Sequence, residues 1–168
     1  ALEDAGCNPD TYTGKVGSFL SASEHTNWLA HAATSTSDAV NPFFLSQLRN
    51  KDFISSLISY SLNLTGPSYH TTTACSSSLV GTHIACRSLL LRECSVALAG
   101  GISLATDTNT GYLYEEGMIA AKDGHCRAFD EQSSGCIKGN GGAVVVLKRM
   151  EDAIRDKDHI YAVIRGTA

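Results

Sequence analysis

The stretch from Ser68 to Gly101, which reads SYHTTTACSSSLVGTHIACRSLLLRECSVALAGG, decides the fold of this 168-residue chain. Its β-branched threonines favour a strand over Ser68–Ala74, and a helical pattern follows over Ser76–Leu91. A buried strand is predicted at Ser95–Ala99, closed by the pair Gly100-Gly101. Strands that alternate with helices predict an α/β fold, and apolar strands without alternation predict a sheet covered on both faces.

The flanking segments extend the same alternation. Before this stretch the sequence predicts a helix end at ALEDAG closed by Gly6, a strand over Val16–Ala22 and a helix within Phe43–Leu62 that Asn50 caps. After it come a loop over Ser103–Gly142, a strand at Ala143–Leu147, a short helix at Asp152–Asp156 and a strand at Ile160–Ile164. The predicted apolar stripes are Phe53, Leu57, Ile58 and Leu62 on the first long helix, and Leu79, Val80, Ile84 and Leu91 on the second, with Ala85 and Leu90 beside them.

Composition excludes several classes of protein. Charged residues make up 18% of the chain, below the roughly 25% of a typical soluble domain, so much of its surface is predicted to be buried against something else. The 13 Lys and Arg residues form no patch and the net charge is −4, which argues against binding nucleic acid. The sequence has no apolar run of membrane-spanning length and no signal peptide, so we predict no membrane association and a cytoplasmic location.

Six cysteines have no metal-binding or redox spacing, and free thiols are expected: Cys7, Cys75, Cys86, Cys94, Cys126 and Cys136. Cys75 differs from the others because it ends a predicted strand immediately before a helix. The unpaired N–H groups at a helix N-terminus favour a thiolate, and a tight strand-to-helix turn lifts a side chain out of the sheet. Cys75 is therefore a candidate nucleophile. The alternative interpretation is a small buried residue beside a capping serine.

The segment GPSYHTTTACSSSLVGTHIACRSLLLRECSVALAGG resembles the active-site segment of β-ketoacyl synthases, the condensing enzymes of polyketide and fatty-acid synthesis. The resemblance continues through GYLYEEGMI, KDGHCRAFDEQSSGCIKGNGGAVVVLKR and EDAIRDKDHIYAVIRGTA, and reaches back to ISYSLNL and ALEDAG. Among ketosynthases, the chain is most similar to those of modular type I polyketide synthases. The chain departs from the family pattern at Leu57, Ser61 and Thr72, which puts local packing or subunit contacts in doubt.

The resemblance implies a thiolase-like layered αβαβα sandwich, of which residues 1–168 would be most of the first half, truncated at both ends. It implies that Cys75 takes an acyl chain from the phosphopantetheine arm of an acyl carrier protein, and that decarboxylative Claisen condensation with a malonyl-type extender follows. The backbone N–H of Cys75 would supply half of the oxyanion hole. The domain itself would bind no cofactor or metal. The expected partners are the carrier protein with its acyl and malonyl thioesters, neighbouring synthase domains, and a second copy paired through the Ser68–Ala74 strand.

The family also uses two histidines in downstream segments that this sequence lacks. We expect His25, His31, His70, His125 and His159 to lie in loops or at strand edges, and His83 to pack on the helix after Cys75. Two other functions remain open from the residues alone. One is a cysteine-dependent thioester hydrolase, and the other is a non-catalytic ketosynthase-like partner subunit, although relatives of that kind commonly replace the cysteine.

Three further motifs carry weaker signals. The glycines of Gly139-Asn140-Gly141-Gly142 precede a strand, so they predict a tight turn and not a dinucleotide site. Asp123, Asp130 and Glu131 are expected in a solvated loop, with Asp130 bonded to backbone. Tyr112, Leu113, Tyr114 and Met118 could line a substrate tunnel, form a subunit contact or pack in a core.

Overall fold

The computed structural model describes residues 1–23, 41, 43, 46–47, 50–104 and 111–167. The chain divides into two compact units, one formed by residues 1–24, 37–102 and 142–168 and the other by residues 25–36 and 103–141. The first part of the helix predicted within Phe43–Leu62 falls mostly outside the described residues, as do His25 and His31.

The regular elements that the structure describes throughout are, in chain order, β1 (Val16–Ala22), α1 (Ile54–Ser61), β2 (Ser68–His70), α2 (Ser77–Leu90), β3 (Val96–Ser103), β4 (Gly141–Lys148) and α3 (Met150–Asp156). The strands form one sheet in the order β2-β1-β3-β4, and β1 runs parallel to both β2 and β3. Because α1 connects β1 to β2 and α2 connects β2 to β3, the predicted α/β fold is confirmed.

Strand β1 is the centre of the sheet, and its bounds are those predicted from the sequence. Both of its faces are covered, since six of its seven residues are buried. Phe19 is fully buried in a cluster with Ala85 and Leu89 of α2 and with Cys94. Side chains alternate along a strand, so Ser18 faces the opposite side of the sheet from Phe19.

Helix α1 buries serines rather than the predicted apolar stripe. Its buried residues are Ser55 and Ser59, whereas Phe53 and Leu62 are exposed. The Ser55 hydroxyl donates to the Tyr69 carbonyl oxygen at 2.7 Å, and the Ser59 hydroxyl bonds that of Ser68 at 3.1 Å. Leu57 and Ile58 of the predicted stripe are half-buried, so the prediction was right only in part. The serines are buried more deeply because β2 satisfies their hydroxyls, which apolar periodicity does not register. The Asn50 cap is confirmed, because its side chain accepts from the Asp52 N–H.

Helix α2 also packs through small residues. The predicted stripe was right in part, because Ile84 packs against the core cluster and Ala85 beside it is buried. Leu79, however, is 74% exposed and Leu91 65%, while Gly81 is buried. A β-carbon on Gly81 would lie 3.2 Å from the Phe19 carbonyl oxygen, so a larger residue would push α2 and β1 apart by a few tenths of an ångström. Leu89 and Ser88 complete the buried face.

Strand β3 continues through the glycine pair that was predicted to close it. It ends at Ser103, and its glycines allow β4 to lie alongside, because a β-carbon on Gly100 would overlap the Ala143 carbonyl oxygen. Such a contact is impossible for any other residue. The glycines therefore mark close approach of two strands and not the end of one.

The segment predicted as a strand at Ile160–Ile164 has no regular structure, which corrects that prediction. Tyr161 is 76% exposed, and the described residues provide no neighbouring strand to pair with this segment. An apolar run forms a strand only where a partner supplies backbone hydrogen bonds. The loop prediction for Ser103–Gly142 is confirmed for residues 111–140, which contain turns and one isolated bridge between Ala120 and Cys136.

Candidate active site

Cys75 lies in a 3-10 turn, Ala74–Ser76, that connects the end of the β2 segment to the start of α2. The strand itself stops at His70, so the strand predicted over Ser68–Ala74 is too long. The Thr71 N–H still donates to the Leu20 carbonyl oxygen, but beyond it the backbone turns away from β1. The structure thus places an exposed free thiol at the N-terminal end of a 14-residue helix.

The turn holds a residue in a strained conformation. Ala74 has a φ of 52°, in the left-handed region that a side chain with a β-carbon rarely adopts, and Thr73 before it has φ −139° and ψ 44°. Strain of this kind persists only where surrounding contacts determine it. The contacts that do so come from the two serines after Cys75.

The Ser77 hydroxyl bridges the turn. It accepts a hydrogen bond from the Thr73 N–H at 2.9 Å and donates one to the Ala74 carbonyl oxygen at 2.6 Å. The Ser77 N–H also donates to the Ala74 carbonyl oxygen. The Ser76 hydroxyl bonds the Thr73 carbonyl oxygen at 2.7 Å and the Thr73 hydroxyl at 3.0 Å. The hydroxyls of both serines therefore point back into the turn.

The first residues of helix α2, which follow this turn, pack against the sheet. Gly81 lies against Phe19 of β1, and a β-carbon at Gly81 would lie 3.4 Å from the Thr71 hydroxyl oxygen. A β-carbon on Gly101 of β3 would likewise lie 3.3 Å from the Ser78 β-carbon. The first two turns of the helix are thus packed directly against two strands.

The four described histidines are held by partners other than Cys75. His83 bonds the Thr167 hydroxyl through Nδ1 at 2.7 Å, and His125 Nδ1 bonds the Asp123 carbonyl oxygen at 2.8 Å. His70 Nδ1 lies 3.3 Å from the Thr72 hydroxyl, and the ring of His159 packs edge-on against Tyr161. The expectation that these residues have structural or solvated environments agrees with this geometry.

The other cysteines fall into two groups. Burial raises the pKa of the Cys7, Cys86 and Cys94 thiols. Cys126 and Cys136 are exposed, and the Cys136 thiol donates to the Ile119 carbonyl oxygen at 3.4 Å. All six are free thiols, as predicted.

The weaker motifs have ordinary structural roles. The Asp123 carboxylate accepts from Arg127 at 2.7 Å, and this hydrogen bond lowers the Asp123 pKa. Asp130 accepts from the Gln132 N–H, as expected of a loop residue. Leu113 is 96% exposed and Met118 63%, so core packing of that group was the wrong alternative.

The described residues hold no cluster of His, Cys, Asp or Glu that could bind a metal ion. An open groove of about 300 Å³ lies along α2 and includes Tyr69, Arg87 and Glu93, but Cys75 does not line it. Among the described residues, no helix is both long enough and apolar enough to cross a bilayer.

Comparison with known proteins assigns the chain to a family. The model for the beta-ketoacyl synthase N-terminal domain matches residues 1–153, and the chain belongs to that family. The relatives it matches are subunits of polyketide synthases. It is 42% identical to one subunit of the phenolphthiocerol/phthiocerol polyketide synthase of Mycobacterium tuberculosis, over 100% of this chain and 12% of that protein. It is 41% identical to another subunit of the same synthase, over 100% of this chain and 11% of that protein.

Solved structures give the same result. Ketosynthase twelve of the bacillaene polyketide synthase of Bacillus amyloliquefaciens superimposes with a TM-score of 0.81 and 35% identity, over 96% of this chain and 28% of that one. The ketosynthase from module 1 of the same organism's bacillaene synthase superimposes with a TM-score of 0.80 and 37% identity, over 99% and 28% of the two chains. The predicted ketosynthase resemblance and thiolase-like fold are confirmed. The chain spans only about 12% of the length of the first of its curated relatives.

Proposed function

We propose that this chain is the part of a ketosynthase domain that carries the nucleophile, and that Cys75 is that nucleophile. The observation that supports this is the position of its exposed thiol, in a strained turn at the start of α2. The exposed thiol is open to an incoming substrate, and the unpaired N–H groups at the start of a helix can stabilise negative charge on a bound substrate oxygen. Cys126 and Cys136 are also exposed, but neither precedes a helix.

The reaction proceeds in two covalent steps. The Cys75 thiolate attacks the carbonyl carbon of an acyl thioester, a C–S bond forms, and the tetrahedral oxyanion collapses as the carrier thiolate leaves and takes a proton. A malonyl thioester then loses carbon dioxide, and its carbanion attacks the acyl-Cys75 carbonyl. A C–C bond forms, the Cys75 thiolate departs, and a β-ketoacyl thioester remains on the second carrier. The Cys75 N–H supplies one of the two oxyanion donors.

The substrates arrive on the phosphopantetheine arm of an acyl carrier protein, and the domain itself holds no cofactor. The relatives are subunits of large polyketide synthases, so neighbouring synthase domains are the expected partners. Residues 1–168 would form most of the first half of the domain. The two histidines that stabilise the carbanion step would come from outside this sequence, because it lacks the two segments in which the family carries them.

A second copy of the chain would pair along β2. This strand forms one edge of the sheet, with β1 on its other side. Its exposed edge carries backbone groups that a partner strand can satisfy. The pairing segment is expected to be Ser68–His70 and the residues up to Ala74 that follow it.

The test is Cys75→Ala in the complete ketosynthase that contains this sequence. Incubation with an acyl thioester of N-acetylcysteamine should add one acyl group to the parent, as read by intact mass, and none to the variant. Cys126→Ala is the matched control, because it removes another exposed thiol and should leave acylation unchanged. The variant should stay folded, since the lost packing is worth about 1 kcal/mol. Acylation or β-ketoacyl formation that survives Cys75→Ala refutes the assignment.

A thioester hydrolase would also be acylated at Cys75, so a second measurement separates the two functions. The complete enzyme should release carbon dioxide from a malonyl-loaded carrier protein. A hydrolase would release the free acid and no carbon dioxide.

A further inference from the structure

The hydroxyl of Ser77 is bonded to the peptide unit between Ala74 and Cys75, which carries one of the two proposed oxyanion donors. The Ala74 carbonyl and the Cys75 N–H belong to the same peptide group, which is planar and trans, so the N–H points opposite to the carbonyl. The Ala74 carbonyl oxygen accepts hydrogen bonds from both the hydroxyl and the N–H of Ser77. Fixing that carbonyl therefore fixes the direction of the Cys75 N–H.

The same hydroxyl also restrains the other side of the strained residue. It accepts from the Thr73 N–H, so the backbone on both sides of Ala74 is tied to one side-chain oxygen. Ala74 would relax from its φ of 52° if this bridge were lost, and rotation about that bond would turn the next peptide plane. Within the part of the chain that the structure describes, the Cys75 N–H donates to no acceptor, so it is available to a substrate oxygen.

We propose that Ser77 is a positioning residue for the oxyanion hole, because its hydroxyl aims the Cys75 N–H. This rests on the proposed function of Cys75 and goes beyond it. Two donors on the Ala74 carbonyl also polarise the peptide, which makes the Cys75 N–H a stronger donor. Preorganised donors of this kind lower the barrier only where negative charge develops on the substrate oxygen.

The experiment uses two reactions of the same thiol in the complete ketosynthase. Acylation by an N-acetylcysteamine thioester passes through an oxyanion, whereas alkylation by iodoacetamide does not. We expect Ser77→Ala to slow acylation about tenfold, which is less than the roughly hundredfold or greater loss caused by removing an oxyanion donor outright. The rate of alkylation should stay within about twofold of the parent's. Ser77→Thr should restore acylation, since it keeps the hydroxyl.

Ser78→Ala is the matched control. It makes the same change one residue along the helix, where the hydroxyl makes no hydrogen bond to the described residues, and both rates should match the parent. Equal acylation by Ser77→Ala and the parent overturns the proposal. An equal fall in both reactions also overturns it, because that result means a structural role alone.

Two further comparisons distinguish a failure to fold, a failure of the proposed function and a failure of the positioning role. If Ser77→Ala fails to fold, the double variant Ala74→Gly with Ser77→Ala removes the strain at Ala74, and slow acylation with normal alkylation is again expected. Acylation that persists in Cys75→Ala overturns the proposed function itself. A parent that acylates only at Cys75, with Ser77→Ala equally fast, overturns the positioning role alone.

Discussion

Arg149 donates a hydrogen bond of 2.7 Å to the carbonyl oxygen of Leu89, near the last turn of the helix that begins beside Cys75. The same Nη1 atom donates to the Cys94 carbonyl oxygen at 2.9 Å, just before β3. The guanidinium also pairs with Asp152 of α3. One side chain thus joins the C-terminal end of α2, the start of β3 and α3.

Replacing Arg149 by methionine should therefore destabilise the domain. Two partly buried carbonyl oxygens lose a charged donor, which is expected to lower the free energy of unfolding by about 3 kcal/mol. Urea denaturation of the complete ketosynthase measures the loss. Arg155→Met is the control, because Arg155 pairs with the same Asp152 but is exposed, and its effect should be smaller. Equal losses from the two variants would contradict the role given to Arg149.

Lys148 gives the stability a dependence on pH. Its Nζ lies within 2.6 Å of carboxylate oxygens of Asp156 and Asp158. Burial opposes the charge of Lys148, but hydrogen bonds to these carboxylates outweigh it and raise the lysine pKa, while the bond from Lys148 lowers the Asp156 pKa. A carboxylate with a lowered pKa stabilises the fold above its unfolded pKa of about 3.9, and this contribution disappears as the pH falls further.

Lys148→Met should consequently cost more stability at pH 7 than at pH 3. Denaturant midpoints of the parent and the variant, measured at both values, give the comparison. A difference between the two proteins that does not shrink in acid would mean that packing of the lysine stem, and not its charge, is what matters.

Cys75 should react with iodoacetamide faster than the other five cysteines in the complete protein. Burial shields Cys7, Cys86 and Cys94 and raises the pKa of each thiol, which lowers the reactive thiolate fraction. Exposure alone does not separate Cys75 from Cys126 and Cys136, so the preference depends on its place before α2. Site-resolved mass spectrometry after brief labelling is the measurement. Equal labelling at Cys126 would show that the helix has no such effect.

Gly100→Ala should be one of the most damaging single-methyl changes in the chain. Its β-carbon would overlap the Ala143 carbonyl oxygen, and neither strand can move without breaking the sheet. We expect a loss of about 3 kcal/mol or failure to fold. Gly139→Ala adds the same methyl group where nothing lies within 4 Å, and thermal unfolding should barely change. A stable Gly100→Ala protein would mean that β3 and β4 do not approach this closely.

Residues 1–168 expressed alone should be poorly soluble and unable to condense acyl and malonyl thioesters. Large apolar side chains are exposed along α2, among them Leu79 and Leu90, with Leu91 directly after it, and surfaces of this kind promote association. Slow acylation of Cys75 could survive, because the helix field is local. Co-expression with the remainder of the domain should restore solubility and condensation together. A soluble monomeric piece that condenses unaided would overturn this division of roles.

The family and most element types could be predicted from the sequence, whereas the strand at Ile160–Ile164 and much of the packing could not. β1 was predicted to the residue because a buried central strand is continuously apolar or small. The buried faces of α1 and α2 were predicted only in part, since Ser55, Ser59 and Gly81 are more deeply buried than the leucines of the apolar stripes. Small residues, and hydroxyls whose hydrogen bonds are satisfied, allow a helix to pack closely on a strand but produce no apolar periodicity in the sequence. Their burial therefore depends on the strand against which the helix packs.

The candidate site, too, could be predicted only in part from the sequence. The place of Cys75 between strand and helix could be predicted, because local residue types determine where each element begins. The hydrogen bonds from Ser76 and Ser77 back to the turn could not be predicted, because they depend on the left-handed conformation of Ala74. No residue type in this segment indicates that conformation. The run of three serines was the only sequence signal available for these hydrogen bonds.

The distance between Arg149 and Cys75 has a mechanical consequence. Helix α2 is 14 residues long and so spans about 21 Å, with the thiol at one end and the guanidinium contact at the other. A rigid rod of that length converts a tilt of about 3° at its far end into a displacement of about 1 Å at its tip, enough to change a reaction rate about a hundredfold. A substitution at Arg149 that tilts the helix is therefore expected to alter turnover at Cys75 before it alters the folded fraction.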